Sequence, residues 1–260
     1  MSDTMLCIAH RGASGILPEN TLLSVRSALS SGVDWIEIDV YVVGGELVVI
    51  HDDRLEATTN GSGYVTESSP GYLRGLDAGR GECIPTLTEV IECVGGRARL
   101  NIELKCEGAG AATVNLVRRF VLRGCLCYAD FNVSSFNHRE LRTVRDLDHH
   151  IPVGVLIVGV PLDLARQAGE LGAESLHVSR AFVTRELVDD AHARGLGVHA
   201  FTANTERDFE RMQQLGIDGV FTDYPERMLK WREEVIKGVG GVPGPSTSVP
   251  SASAGAGGIQ

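Results

Sequence analysis

The stretch VDWIEIDVYVVGGELVVIHD, Val33 to Asp52, decides the fold. Two alternating apolar runs, 35–40 and 46–50, flank Gly44-Gly45, and a two-residue glycine turn between such runs predicts a β-hairpin. Glu37 and Asp39 stand two apart on the first run, so both project to one face while Ile36, Ile38 and Val40 take the other. Bare carboxylates on an inward face are costly unless they are paired or hold a cation. The hairpin thus predicts both a sheet and a site.

Outward from it, short β-branched runs alternate with segments of helical period, the signature of a parallel sheet with crossover helices. Strands are expected near 5–9, 35–40, 46–50, 99–104, 130–134, 153–157, 174–178, 197–201 and 217–221. Helices are expected at 20–31, 86–94, 110–123, 136–146, 161–171, 184–194, 205–214 and 224–236. Eight parallel strands and eight helices make an α/β chain of the (β/α)8 TIM-barrel class, with 46–50 as an extra strand. The Gly-, Ser-, Thr- and Asp-rich segment 52–85 reads as a small insertion lying over the barrel mouth. Residues 1–237 form one domain in this reading, and the Gly/Pro/Ser/Ala segment 238–260 a disordered tail.

Composition narrows the function. The 260 residues, 43% hydrophobic, suffice for one large core. With 24 basic against 34 acidic residues the net charge is −10, which argues against a nucleic-acid binder that works by neutralising phosphates. An anionic substrate would need locally placed Arg or Lys. Six cysteines without CxxC spacing read as reduced thiols, and no apolar run approaches the ~20 residues of a membrane span. The expectation is a cytoplasmic protein with no stable membrane insertion; the oligomeric state is left open.

A second strand, LNIELKC, repeats the device of the first, placing Glu103 and Lys105 on one face. Three carboxylate donors, Glu37, Asp39 and Glu103, suit one hard divalent cation, Mg2+ or Ca2+. With that ion, Lys105 and Arg11 counted, one positive charge is left, which a phosphodiester anion would neutralise. His10 and His51 each end an apolar run and can supply a general acid and a general base. Arg11 offers a donor fork for phosphate oxygens, and Gly12 a close backbone approach. The other histidines, 138, 149, 150, 177, 192 and 199, read as structural, although His177 and His199 at strand ends could line the pocket.

In these segments the chain resembles the glycerophosphodiester phosphodiesterase family, a TIM-barrel group of phospholipase C-like phosphodiesterases. The residues that carry the likeness are HRGASGILPENT, IEIDV, VVIHD with TTNGSG, LDAG, IPTLTEV, NIELK, SSF and GIDGVFTDYPERM, from about Cys7 to Leu229. The resemblance implies a divalent metal at Glu37, Asp39 and Glu103, acid–base histidines His10 and His51, and phosphate contacts from Arg11 and Lys105. It implies release of sn-glycerol 3-phosphate and an alcohol through attack of the glycerol hydroxyl on phosphorus and a cyclic phosphate, without saying which histidine is base. Glu19, in the PEN element, is either a neighbour of the site or a helix-start acid, and Asn20 can cap the helix there. Phe201 and Asn204 are further pocket or supporting candidates, Phe201 standing where relatives often carry Trp. Ala57 replaces a common Arg, which would loosen the insertion.

Two other readings compete. A lysophospholipase D or sphingomyelinase D-like enzyme would need an apolar stripe near the mouth, where the insertion offers only Tyr64, Tyr72, Leu73 and Leu76. A non-catalytic barrel that binds phosphate metabolites would tolerate a lost ligand or base, yet every expected position is filled.

Overall fold

The computed structural model describes residues 4–239 of the chain. Eight strands run parallel: β1 (Leu6–Ala9), β2 (Trp35–Val43), β4 (Arg99–Leu104), β5 (Phe131–Ser135), β6 (Val153–Ile157), β7 (Ser175–Ser179), β8 (Gly197–Phe201) and β9 (Gly219–Thr222). Each pairs with the next, and β1 pairs with both β9 and β2, so the sheet closes into the expected barrel. The extra strand β3 (Glu46–Val49) lies antiparallel on β2. Gly44 and Gly45 between them have φ of +56° and +84°, the mirror-image turn that follows strand twist and that glycine adopts without steric cost.

Ile36, Ile38 and Val40 pack outward with apolar residues of the surrounding helices, among them α1 (Leu22–Ser31), α3 (Leu87–Val94) and α4 (Ala109–Leu122). Next come α5 (His138–Leu147), α6 (Arg166–Leu171), α7 (Arg185–Ala193), α8 (Glu206–Gln214) and α9 (Pro225–Val239). The register sets Asp39 beside Glu103 and Glu37 beside Asn101 across β2 and β4. Inside the barrel, Ile8, Trp35 and Phe221 form an apolar layer.

Several expectations are corrected. The segment 52–85 builds its own apolar core, with Leu55, Val65, Leu73, Leu76 and Ile84 packed on Tyr41, Val43, Val48 and Ile50 of the hairpin. That packing anchors the segment to the hairpin. Its short helix α2 (Pro70–Arg74) starts at the Ser69 cap. The first helix is capped by Thr21, whose side chain accepts from Ser24 N, so Asn20 is no cap. Residues 161–165, expected as helix, are loop and turn before α6. The last helix runs to Val239, past the boundary expected at 237; from 240 on, the expected tail lies outside the described residues. No helix among the described residues is long and apolar enough to cross a membrane.

Candidate active site

A cavity of about 190 Å³ opens at the carboxyl ends of the strands. His10 and Arg11 follow β1, Glu37 is on β2, His51 follows β3, and Glu103 and Lys105 come from the end of β4; all six line it. Asp39 is buried directly behind. Catalytic groups at this end of a barrel are carried by separate strands on a shared rigid frame.

Glu37, Asp39 and Glu103 bring one carboxylate oxygen each within 4.8 Å of one another. Glu37 Oε2 accepts from Arg11 N at 2.9 Å, while its Oε1 is buried without a partner. Lys105 Nζ sits 2.7 Å from Glu103 Oε1 and 3.4 Å from Asp39 Oδ1. Burial and the charges of Asp39 and Glu103 push the Glu37 carboxyl well up, and burial with Asp39 raises Glu103. Three clustered carboxylates, with Glu37 and Glu103 both held back from ionising and one oxygen of Glu37 orphaned, fit a hard divalent cation. The residues thus can hold a metal ion.

Asn20, with φ of +56°, serves this cluster: its Nδ2 donates to Asp39 Oδ2 at 2.9 Å and its Oδ1 accepts from Asp39 N. Glu19 Oε1 accepts from Arg11 Nη1 at 2.9 Å, and Arg11 Nε lies 3.5 Å from Asp39. Although burial pulls it down, Asp39, Glu19 and Glu37 raise the Arg11 pKa. Glu19 is therefore no helix-start acid, and by offsetting Arg11 it removes the charge argument for a diester. Gly12 approaches Ser24 rather than a ligand: a Cβ there would lie 2.5 Å from Ser24 Oγ.

His10 Nδ1 and Asp223 Oδ1 are 2.6 Å apart, and Ser14 Oγ donates to the same oxygen. Asn204 does not line the cavity; its Nδ2 donates to Asp223 Oδ2 at 2.6 Å and its Oδ1 accepts from Asp223 N. Burial would raise the Asp223 carboxyl, but His10, Asn204 and Ser14 outweigh it and hold it at about 2. A fixed anion at Nδ1 leaves the other ring nitrogen of His10 for chemistry. The sequence reading missed Asp223; its signal was an acid directly after the last strand, in TDYP. His51 has Asp52 as neighbour, Nδ1 to Oδ1 3.1 Å.

Phe136, Leu156, Phe201 and Phe221 form the opposite, apolar wall, with Phe201 edge-on to Phe136 at 5.8 Å. His177 and His199 are buried inside the barrel and do not line this cavity. Burial pushes both down in pKa, His199 to about 4, so they stay neutral. The remaining histidines are also outside the cavity.

The sequence matches the profile of the glycerophosphoryl diester phosphodiesterase family over residues 10–227. The chain belongs to that family. It is 36% identical over 237 residues to a glycerophosphodiester phosphodiesterase of Caldanaerobacter subterraneus subsp. tengcongensis, covering 86% of this chain and 96% of the relative. Another from Bacillus altitudinis is 36% identical over 244 residues, covering 87% and 98%. An Oleispira antarctica phosphodiesterase, solved in complex with its product sn-glycerol-3-phosphate, superposes with a TM-score of 0.82 at 34% identity, covering 88% and 97%. As a glycerophosphodiester phosphodiesterase family member, this enzyme carries its acidic cluster on β2 and β4, with His10 and His51 in the loops after β1 and β3.

Proposed function

We propose that this phosphodiesterase hydrolyses small glycerophosphodiesters to sn-glycerol 3-phosphate and an alcohol, in the cytoplasm, with one divalent ion, Mg2+ or Ca2+, at Glu37, Asp39 and Glu103. The observation that carries the reading is that His10 and His51, from different strands, face one cavity with that acidic cluster. Such an ion supplies Lewis-acid stabilisation of charge building on phosphate oxygens. Arg11 and Lys105 orient the phosphate from the polar wall. One histidine takes the proton of the free glycerol hydroxyl as it attacks phosphorus, and the other protonates the departing alcohol. Water then opens the cyclic phosphate with the two roles exchanged. Asp223, held by Asn204 and Ser14, keeps His10 turned towards the cavity. Replacing either histidine tests this: His10→Ala and His51→Ala should each lower turnover roughly 100-fold or more with unchanged unfolding temperature. Near wild-type turnover in either variant removes that residue from the mechanism.

A further inference from the structure

Among the described residues seven buried side-chain polar atoms have no hydrogen-bond partner, and three belong to residues lining the catalytic cavity: the donor Arg11 Nε and the acceptors Glu37 Oε1 and Asn101 Oδ1. The two acceptors sit at facing positions. Glu37 on β2 pairs with Asn101 on β4, one inward-facing step deeper than the pair Asp39 and Glu103. These four side chains thus form one block on the inward face of two neighbouring strands. Asn101 is 1% exposed, and its Nδ2 donates to Ser134 Oγ at 2.9 Å. Ser134 is on β5, across β4 from β2, so the amide turns its nitrogen to β5 and its oxygen away from it. No donor among the described residues meets that oxygen: Lys105 reaches Glu103 and Asp39, and Arg11 N takes the other oxygen of Glu37. Asn20 and Asn204, which support neighbouring groups, spend both ends of their amides. Asn132 also has an unpaired oxygen but does not line the cavity. Buried acceptors without a donor are costly, and a cation would satisfy both at once.

We propose that Asn101 Oδ1 is a fourth protein ligand of the divalent ion, beside Glu37, Asp39 and Glu103, and that it biases the site towards Ca2+. The proposal rests on the three-carboxylate reading above. Ca2+ takes about six to eight oxygens in adaptable geometry and accepts amide carbonyls among them. Mg2+ demands a near-ideal octahedron, keeps several waters and is usually held by one or two carboxylates. Four oxygens fixed by two adjacent strands therefore suit the larger ion. A neutral oxygen also adds a ligand without adding a fourth negative charge to a crowded cluster.

Calorimetry of the purified protein with Ca2+ alone and with Mg2+ alone tests this. Asn101→Ala should weaken Ca2+ binding by roughly tenfold or more and Mg2+ binding by a smaller factor. Asn101→Asp, which keeps an oxygen in place, should bind Ca2+ at least as tightly as wild type. Wild-type affinities in Asn101→Ala overturn the proposal and leave that oxygen to a water or a substrate hydroxyl. Equal weakening of both ions, with no rescue by Asp, overturns it in favour of a structural role. Should Asn101→Ala fail to fold, a crystal of the wild-type protein grown with Ca2+ decides. Oδ1 at about 2.3–2.6 Å from the ion upholds the proposal, and a water between them overturns it. Binding of neither ion by wild type overturns the three-carboxylate reading and the fourth ligand together.

Discussion

Replacing Asp223 by Asn isolates what the anion behind His10 contributes. In the structure Oδ1 faces His10 Nδ1 at 2.6 Å and Ser14 Oγ at 3.0 Å, and Oδ2 accepts from Asn204 Nδ2 at 2.6 Å. An amide cannot reproduce this. If its oxygen faces His10, its NH2 opposes the Asn204 amide; if it is turned over, its NH2 faces Nδ1 and favours the wrong imidazole tautomer. A hydrogen bond to a charged group is worth about 1.5–3 kcal/mol, so losing it in the transition state should lower kcat roughly 10- to 150-fold. Because Asp223 is held at about 2, the anion is present at every ordinary assay pH. The assay is glycerol 3-phosphate release across pH, with Asp223→Glu as partial rescue and the unfolding temperature as control. A kcat within twofold of wild type would refute a positioning role.

Two further outcomes follow from the buried charges. Glu37→Gln should lower divalent metal affinity by at least roughly tenfold and shrink the metal-induced rise in unfolding temperature; calorimetry showing wild-type affinity would exclude Glu37 as a ligand. His199, pushed by burial to about 4 from an ordinary 6.5, binds its proton more readily in the unfolded chain. Stability from this group is therefore fully present above about pH 6.5 and lost as pH falls towards 4, by about 3 kcal/mol. Urea unfolding of His199→Gln should show a flatter pH dependence over that window, and a slope equal to wild type would contradict the assignment.

Much of the site was legible because β-strands alternate with period two and barrel chemistry gathers at strand ends. Glu37-x-Asp39 and Glu103-x-Lys105 carry their face in their spacing, and His10 and His51 mark ends of apolar runs. What stayed hidden depends on partners distant in sequence. Asp223 meets His10 across 213 positions, a pairing that only barrel closure creates. Arg11 read as a free phosphate fork because nothing local shows Glu19 turning back onto it. Asn20 read as a cap because it precedes a helix, but Thr21 forms the reciprocal cap with Ser24, and the left-handed backbone of Asn20 turns it to Asp39. In 161–165 the Leu and Ala spacing satisfied a helical period, while Gly159, at φ +92°, and Pro161 keep the chain in a loop.

The most direct measurement is release of glycerol 3-phosphate from glycerophosphocholine by the purified protein with Mg2+, with Ca2+ and with a chelator. The account predicts release that one or both ions support and the chelator abolishes. Release indifferent to the chelator would contradict the acidic cluster as a catalytic metal site, and no release with either ion would contradict the proposed reaction itself.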